Sequence, residues 1–179
     1  KEGGTPLRSM IAYDDASTEK RPGVLVVHEW WGLNDHAKNS AKNLAELGYV
    51  GFAADMYGKG VTTDDPAEAG KMSGALKGDR AALRKRAQAA LDTLSPFKYT
   101  DATKLGAIGY CFGGTGVLEL ARSGANLRGV VSFHGGLSAL GAVEEIKAEI
   151  LVLHGADDPM VPNAQVTAFQ KEMTDAKAK

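Results

Sequence analysis

Only one cysteine, Cys111, occurs among the 179 residues, which excludes an internal disulfide. Neither sign of charge prevails: 21 lysines and arginines stand against 22 aspartates and glutamates, interspersed and without a basic stripe. That surface is not the surface of a nucleic-acid binder. Long apolar runs are missing as well. The longest, around Val24 to Val27, has the size of a strand and falls far short of the ~20 residues of a membrane span. Repeats, low-complexity tracts and linkers are absent too, so the length points to one domain over residues 1–179.

Several short catalytic signatures are also missing. His28-Glu29 does not continue into H-E-x-x-H, because Gly32 stands in the fifth position. The run Gly113-Gly114-Thr115-Gly116 lacks the lysine and spacing of a phosphate-binding loop, and G-x-G-x-x-G does not occur. The acidic doublets lack the spacing of a calcium loop. Neither a metal nor a cofactor is therefore expected. A single cysteine suits a cytoplasmic thiol. Since the chain starts at Lys1 and not at Met, a removed signal peptide, with a periplasmic or secreted protein, is the alternative.

What the sequence does have is alternation. Apolar strand-like runs at residues 7–13, 24–28, 49–54, 104–109, 127–133 and 149–153 interleave with helical patterns. One helix is capped by Asn34 or Asp35 and buries Ala37, Ala41, Leu44 and Ala45. A second, over 79–94, carries Leu83, Ala87, Leu91 and Leu94 on one face, with Arg80, Arg84, Lys85 and Arg86 expected on a solvated face. A third follows Gly113, and a fourth is expected to be capped by Asn163. The stretch containing Asp64-Asp65-Pro66 reads as polar connection. This pattern predicts an α/β fold with a mostly parallel sheet flanked by helices. Sites in such sheets gather at the carboxyl ends of the strands, where Glu29, Cys111, His134, His154 and Asp158 fall.

The stretch Gly109-Tyr110-Cys111-Phe112-Gly113-Gly114 joins a strand to a helix, with cysteine where G-x-S-x-G has serine. A lone cysteine is often only a small buried hydrophobe, but the glycine frame favours a nucleophile on a strained elbow. The first turn of the following helix is expected to lower the thiol pKa. The N–H groups of Phe112 and Trp30 are the expected oxyanion donors. Asp158 suits the acid that orients a base, with Asp157 its rival. His36 is expected on a helix surface, whereas His28, His134 and His154 close strands and are each open either to act as base or to brace a neighbouring loop.

Five blocks in order resemble the dienelactone hydrolase family of α/β-hydrolases. They are Val26-Val27-His28-Glu29-Trp30-Trp31-Gly32-Leu33-Asn34, Asp55-Met56-Tyr57-Gly58, the elbow, Phe133-His134-Gly135-Gly136, and His154-Gly155-Ala156-Asp157-Asp158-Pro159-Met160-Val161-Pro162. The resemblance implies Cys111 as nucleophile, Asp158 as acid, Glu29 beside the resting thiol, and the Trp30 and Phe112 amides as the oxyanion hole. Lys59 stands where the family holds the substrate carboxylate with arginine, and Trp31 and His134 are expected as further substrate contacts. The implied substrate is a small ester or lactone, hydrolysed through an acyl-thioester; the oligomeric state is left open. The family's histidine lies some thirty residues past the acid, but no histidine follows Asp158. The expectation is thus a hydrolase without the C-terminal strand and helix, impaired in turnover, with a non-catalytic binding module or a redox-sensing Cys111 as the alternatives.

Overall fold

The computed structural model describes residues 1–139 and 143–179. Its elements in chain order are β1 (Met10–Ala12), β2 (Arg21–Val27), α1 (Asp35–Glu46), β3 (Val50–Ala54), α2 (Pro66–Gly78), α3 (Arg80–Leu94), β4 (Thr100–Tyr110), α4 (Phe112–Arg122), β5 (Gly129–Phe133), β6 (Glu149–Leu153) and α5 (Asn163–Asp175). The six strands form one sheet in the order β1-β3-β2-β4-β5-β6. Only β1 runs antiparallel, pairing Met10 with Ala53. This is the mostly parallel, helix-flanked sheet that the alternation predicts.

Period-two alternation assigns the two faces of the sheet. Leu25 and Val27 of β2, with Phe52 and Ala54 of β3, enter the larger core with Leu83, Ala87 and Leu91 of α3 and Val117 and Leu120 of α4. Val26 and Ala53 point the other way, onto Ala37 and Ala41 of α1. Helix α1 lies close because β3 carries a glycine beneath it: a Cβ on Gly51 would fall 2.2 Å from the Ala41 carbonyl oxygen. Each fully buried leucine of these layers contributes on the order of 2 kcal/mol of apolar transfer.

Several boundaries differ from the sequence-based expectation. Helix α2 lies where a polar connection was expected. Asp65 caps it through the Ala67 N–H and Pro66 opens it, but Gly70 and Gly74 dilute the apolar pattern that Ala69, Ser73 and Leu76 bury. Asn163 does not cap α5; Pro162 occupies that position without a side-chain bond, and Asn163 is the first helical residue. Strand β4 begins at Thr100 and β2 at Arg21, and their register shifts between Pro22 and Gly23, where proline has no N–H to give. Of the α3 face expected to be solvated, Lys85 is exposed, but the three arginines are partly buried and engaged. Arg80 and Arg84 reach Glu119 of α4 at 2.7 and 2.9 Å, and Arg86 bonds the carbonyls of Met56 and Tyr57.

The strand ends are level. Val27 pairs with Ala54 and with Gly109, and Tyr110, Phe133 and Leu153 stand in one row across β4, β5 and β6. The loops that follow all five parallel strands therefore open on one rim. At the far edge, Leu151 and Leu153 of β6 are half exposed, and the Ile150 N–H donates to the Lys179 carbonyl at 2.7 Å.

Candidate active site

Cys111 sits between β4 and α4 with φ 54° and ψ −114°, a conformation that costs a non-glycine residue on the order of 1–3 kcal/mol. Its neighbours hold it there. The Cys111 N–H extends the sheet ladder to the Phe133 carbonyl (2.9 Å), and its own carbonyl accepts from the Thr115 N–H (3.3 Å) to begin the helix. The turn fits only without side chains: a Cβ on Gly109 would lie 2.1 Å from the Gly113 oxygen, and one on Gly113 would lie 2.2 Å from the Val27 oxygen. The Thr115 hydroxyl accepts the Gly136 N–H at 2.9 Å, which ties the loop after β5 to the elbow helix.

The thiol is half-buried, and burial pushes its pKa up. A hydrogen bond from the Phe112 N–H to the sulfur pulls the other way, as does the positive charge of Lys77, whereas the carboxylates of Glu29 and Asp158 add to the rise. The expected lowering by the helix start is therefore present but outweighed, because the sulfur loses more hydration than one amide returns. The resting group is a protonated thiol. The Phe112 amide and the charges of Glu29 and Asp158 thus all act on the Cys111 thiol.

The loop after β2 is clamped carbonyl by carbonyl. The Tyr57 hydroxyl donates to the Trp30 oxygen at 2.8 Å, and the Thr63 N–H donates to the Trp31 oxygen at 3.1 Å. The Tyr57 ring lies 5.6 Å from that of Phe112, and burial raises its phenol well above the ordinary value of 10.0. The facing loop is ordered by Asp55, whose buried carboxylate accepts from the N–H groups of Arg8, Tyr57, Gly58 and Gly60 at 2.7 to 3.2 Å. The rings of Trp30 and Trp31 meet edge to face at 4.9 Å.

The histidines separate clearly. His28 is wholly buried with both ring nitrogens engaged, Nδ1 on the Glu29 carbonyl and Nε2 on the Met56 N–H at 3.2 Å, so it has no free nitrogen with which to act as base. His36 is exposed and packs its ring on Tyr110 at 4.7 Å. His134 is exposed at φ 43°, its N–H on the Leu153 carbonyl at 2.8 Å. His154 turns Nε2 toward the Val161 carbonyl (3.3 Å) and Asp158 Oδ2 (3.8 Å), and its buried Nδ1 has no partner. The other oxygen of Asp158 accepts the Met160 N–H at 2.8 Å.

Lys59 is exposed in a left-handed turn fixed by its N–H on the Pro6 carbonyl, and its ammonium enters no ion pair among the described residues. Lys77, on α2, is the cation whose field reaches the thiol; the sequence reading missed it together with its helix. Also missed was Glu119, a wholly buried carboxylate on the elbow helix. Its position between Leu118 and Leu120, together with two arginines four residues apart on α3, was the signal that could have found it. Among the described residues no group of histidine, cysteine, aspartate or glutamate side chains is placed to hold a metal, and no helix is long and apolar enough to cross a membrane.

Comparison with known proteins agrees with this architecture. A dienelactone hydrolase-like promiscuous phosphotriesterase from metagenomic libraries is 43% identical, with a TM-score of 0.94 over 99% of this chain and 75% of that one. A solved structure titled m3DLH is 42% identical, with a TM-score of 0.88 over 98% and 79% of the two chains. Protein usf of Aquifex pyrophilus is 33% identical over 159 residues, 85% of this chain and 68% of that protein. The family model of the dienelactone hydrolases matches residues 7–179, and the chain, with its mostly parallel sheet and cysteine elbow, belongs to that family of hydrolases.

Proposed function

We propose that the chain hydrolyses small-molecule esters or lactones with Cys111 as nucleophile. The observation that carries this reading is the strained Cys111 at the head of α4, held between the β4 ladder and the first helical turn. The sulfur attacks the substrate carbonyl, and the thiol proton ends on the departing alcohol. The N–H groups of Trp30 and Phe112 stabilise the oxyanion, the alcohol leaves, and water releases the acyl group from the thioester. Glu29 adds to the burial that keeps the nucleophile protonated until substrate arrives, and Asp158 is the acid suited to orient a base. Lys59, Trp31 and His134 are the proposed substrate contacts on the rim.

A panel of p-nitrophenyl esters and aryl lactones tests the reading. A burst of product stoichiometric with protein, lost in Cys111→Ala, supports it; turnover unchanged in Cys111→Ala overturns it. Saturable ligand binding with no covalent adduct would assign the chain to the binding-module alternative. The 43% identity to a promiscuous phosphotriesterase favours a second substrate class, phosphotriesters, whose phosphoryl oxygen would occupy the same pair of amides.

A further inference from the structure

His28 is the most deeply buried titratable side chain on the site's rim, and the chemistry above gives it no task. Its surroundings define its protonation in detail. Nε2 faces the Met56 N–H at 3.2 Å, a group that can only donate, so Nε2 is the acceptor. The ring proton therefore lies on Nδ1, which donates to the Glu29 carbonyl. That carbonyl belongs to the peptide whose other end is the Trp30 N–H. In a planar trans peptide the two point in opposite directions, so whatever fixes the carbonyl aims the amide.

We propose that His28 is the positioning residue of the oxyanion hole: its Nδ1–H holds the Glu29 carbonyl and thereby turns the Trp30 N–H toward the oxyanion that forms above Cys111. This inference rests on the reading of Cys111 as nucleophile. Three further contacts support it. The next peptide is held as well, by the Tyr57 hydroxyl on the Trp30 oxygen at 2.8 Å. The imidazole packs against Phe112, whose amide is the other donor, with ring centroids 5.8 Å apart, so both donor peptides are registered on one ring. Behind it, Arg86 bonds the Met56 and Tyr57 carbonyls and fixes the loop whose N–H sets the tautomer. Burial lowers the ring pKa to about 4, so the neutral tautomer persists at working pH.

Two reactions of the same sulfur separate aiming from mere support. Alkylation by iodoacetamide displaces iodide and develops no oxyanion; acylation by p-nitrophenyl acetate does. His28→Asn keeps an N–H donor close to the position of Nδ1, whereas His28→Gln sets its carboxamide at the position of Nε2, where its oxygen accepts from the Met56 N–H and no donor stands at the Glu29 carbonyl. With the donor lost, His28→Gln is expected to slow acylation on the order of 10²-fold while alkylation keeps its wild-type rate, and His28→Asn to restore most of the loss. Acylation and alkylation falling in proportion, equal effects of the two variants, or no loss in His28→Gln would each overturn the inference. The Cys111→Ala control distinguishes the deeper failure: if it acylates as fast as wild type, the nucleophile reading falls instead. A measurement on the unaltered protein is independent of variant folding. The imidazole ¹⁵N shifts at neutral pH should show a protonated Nδ1 and a bare Nε2, and the opposite tautomer would refute the proposal.

Discussion

Arg122 and Glu119 lie one turn apart on α4, Nη1 3.0 Å from Oε1, and both side chains are shut off from solvent. Glu119 also takes Arg80 and Arg84 from α3, and Arg122 forks onto Glu172 of α5 at 2.7 and 2.8 Å. The elbow helix is thus registered against two neighbours by charges that cannot be satisfied by water. Glu119→Ala leaves Arg122 short of a partner in the core and should destabilise the fold by about 3–5 kcal/mol. Urea unfolding measures this; a loss below about 1 kcal/mol would mean that the arginines find water instead.

The elbow stores strain, and relieving it should be visible. Cys111→Gly removes the Cβ that a φ of 54° disfavours, although glycine returns part of the gain as unfolded-chain entropy. Cys111→Gly should therefore unfold about 1 kcal/mol later than Cys111→Ala, with both inactive. Equal midpoints would show that the turn is not strained.

His28 makes stability depend on pH. The unfolded chain takes its proton near the ordinary 6.5 and the folded one only near 4, because burial opposes the charge while the Glu29 carbonyl and Asp55 only partly offset it. Between those values the unfolded state binds more protons, so stability falls as pH drops from about 6.5 to about 4. The loss is on the order of 3 kcal/mol. Unfolding midpoints of wild type and His28→Asn across this window give the comparison, and parallel curves would contradict the assignment.

The Cys111 thiol should titrate above its ordinary range, since burial outweighs the Phe112 amide. Rates of iodoacetamide alkylation against pH give the midpoint. Glu29→Gln, which removes a repelling charge, should move it down; Lys77→Met, which removes an attracting one, should move it up. Opposite movements would displace Glu29 from the thiol's surroundings.

The sheet was legible because its central strands, buried on both faces, write continuous apolar runs such as Val24 to Val27. The elbow was legible because its turn excludes every residue but glycine at 109 and 113. Helix α2 was hidden by its own glycines. The arginine face of α3 was misread because its partner, Glu119, belongs to another helix and shares no periodicity with it. The direction of the thiol pKa and the tautomer of His28 were out of reach for a related reason. Both depend on burial and on groups distant in sequence, Met56 above all, rather than on neighbours along the chain.

The central claim, that Cys111 attacks a carbonyl within an oxyanion hole, is tested most directly by intact mass spectrometry after brief exposure to p-nitrophenyl acetate. The account predicts one acetyl group per chain, mapped to Cys111 and absent from Cys111→Ala. An acetyl group elsewhere, or the same uptake by Cys111→Ala, would contradict it.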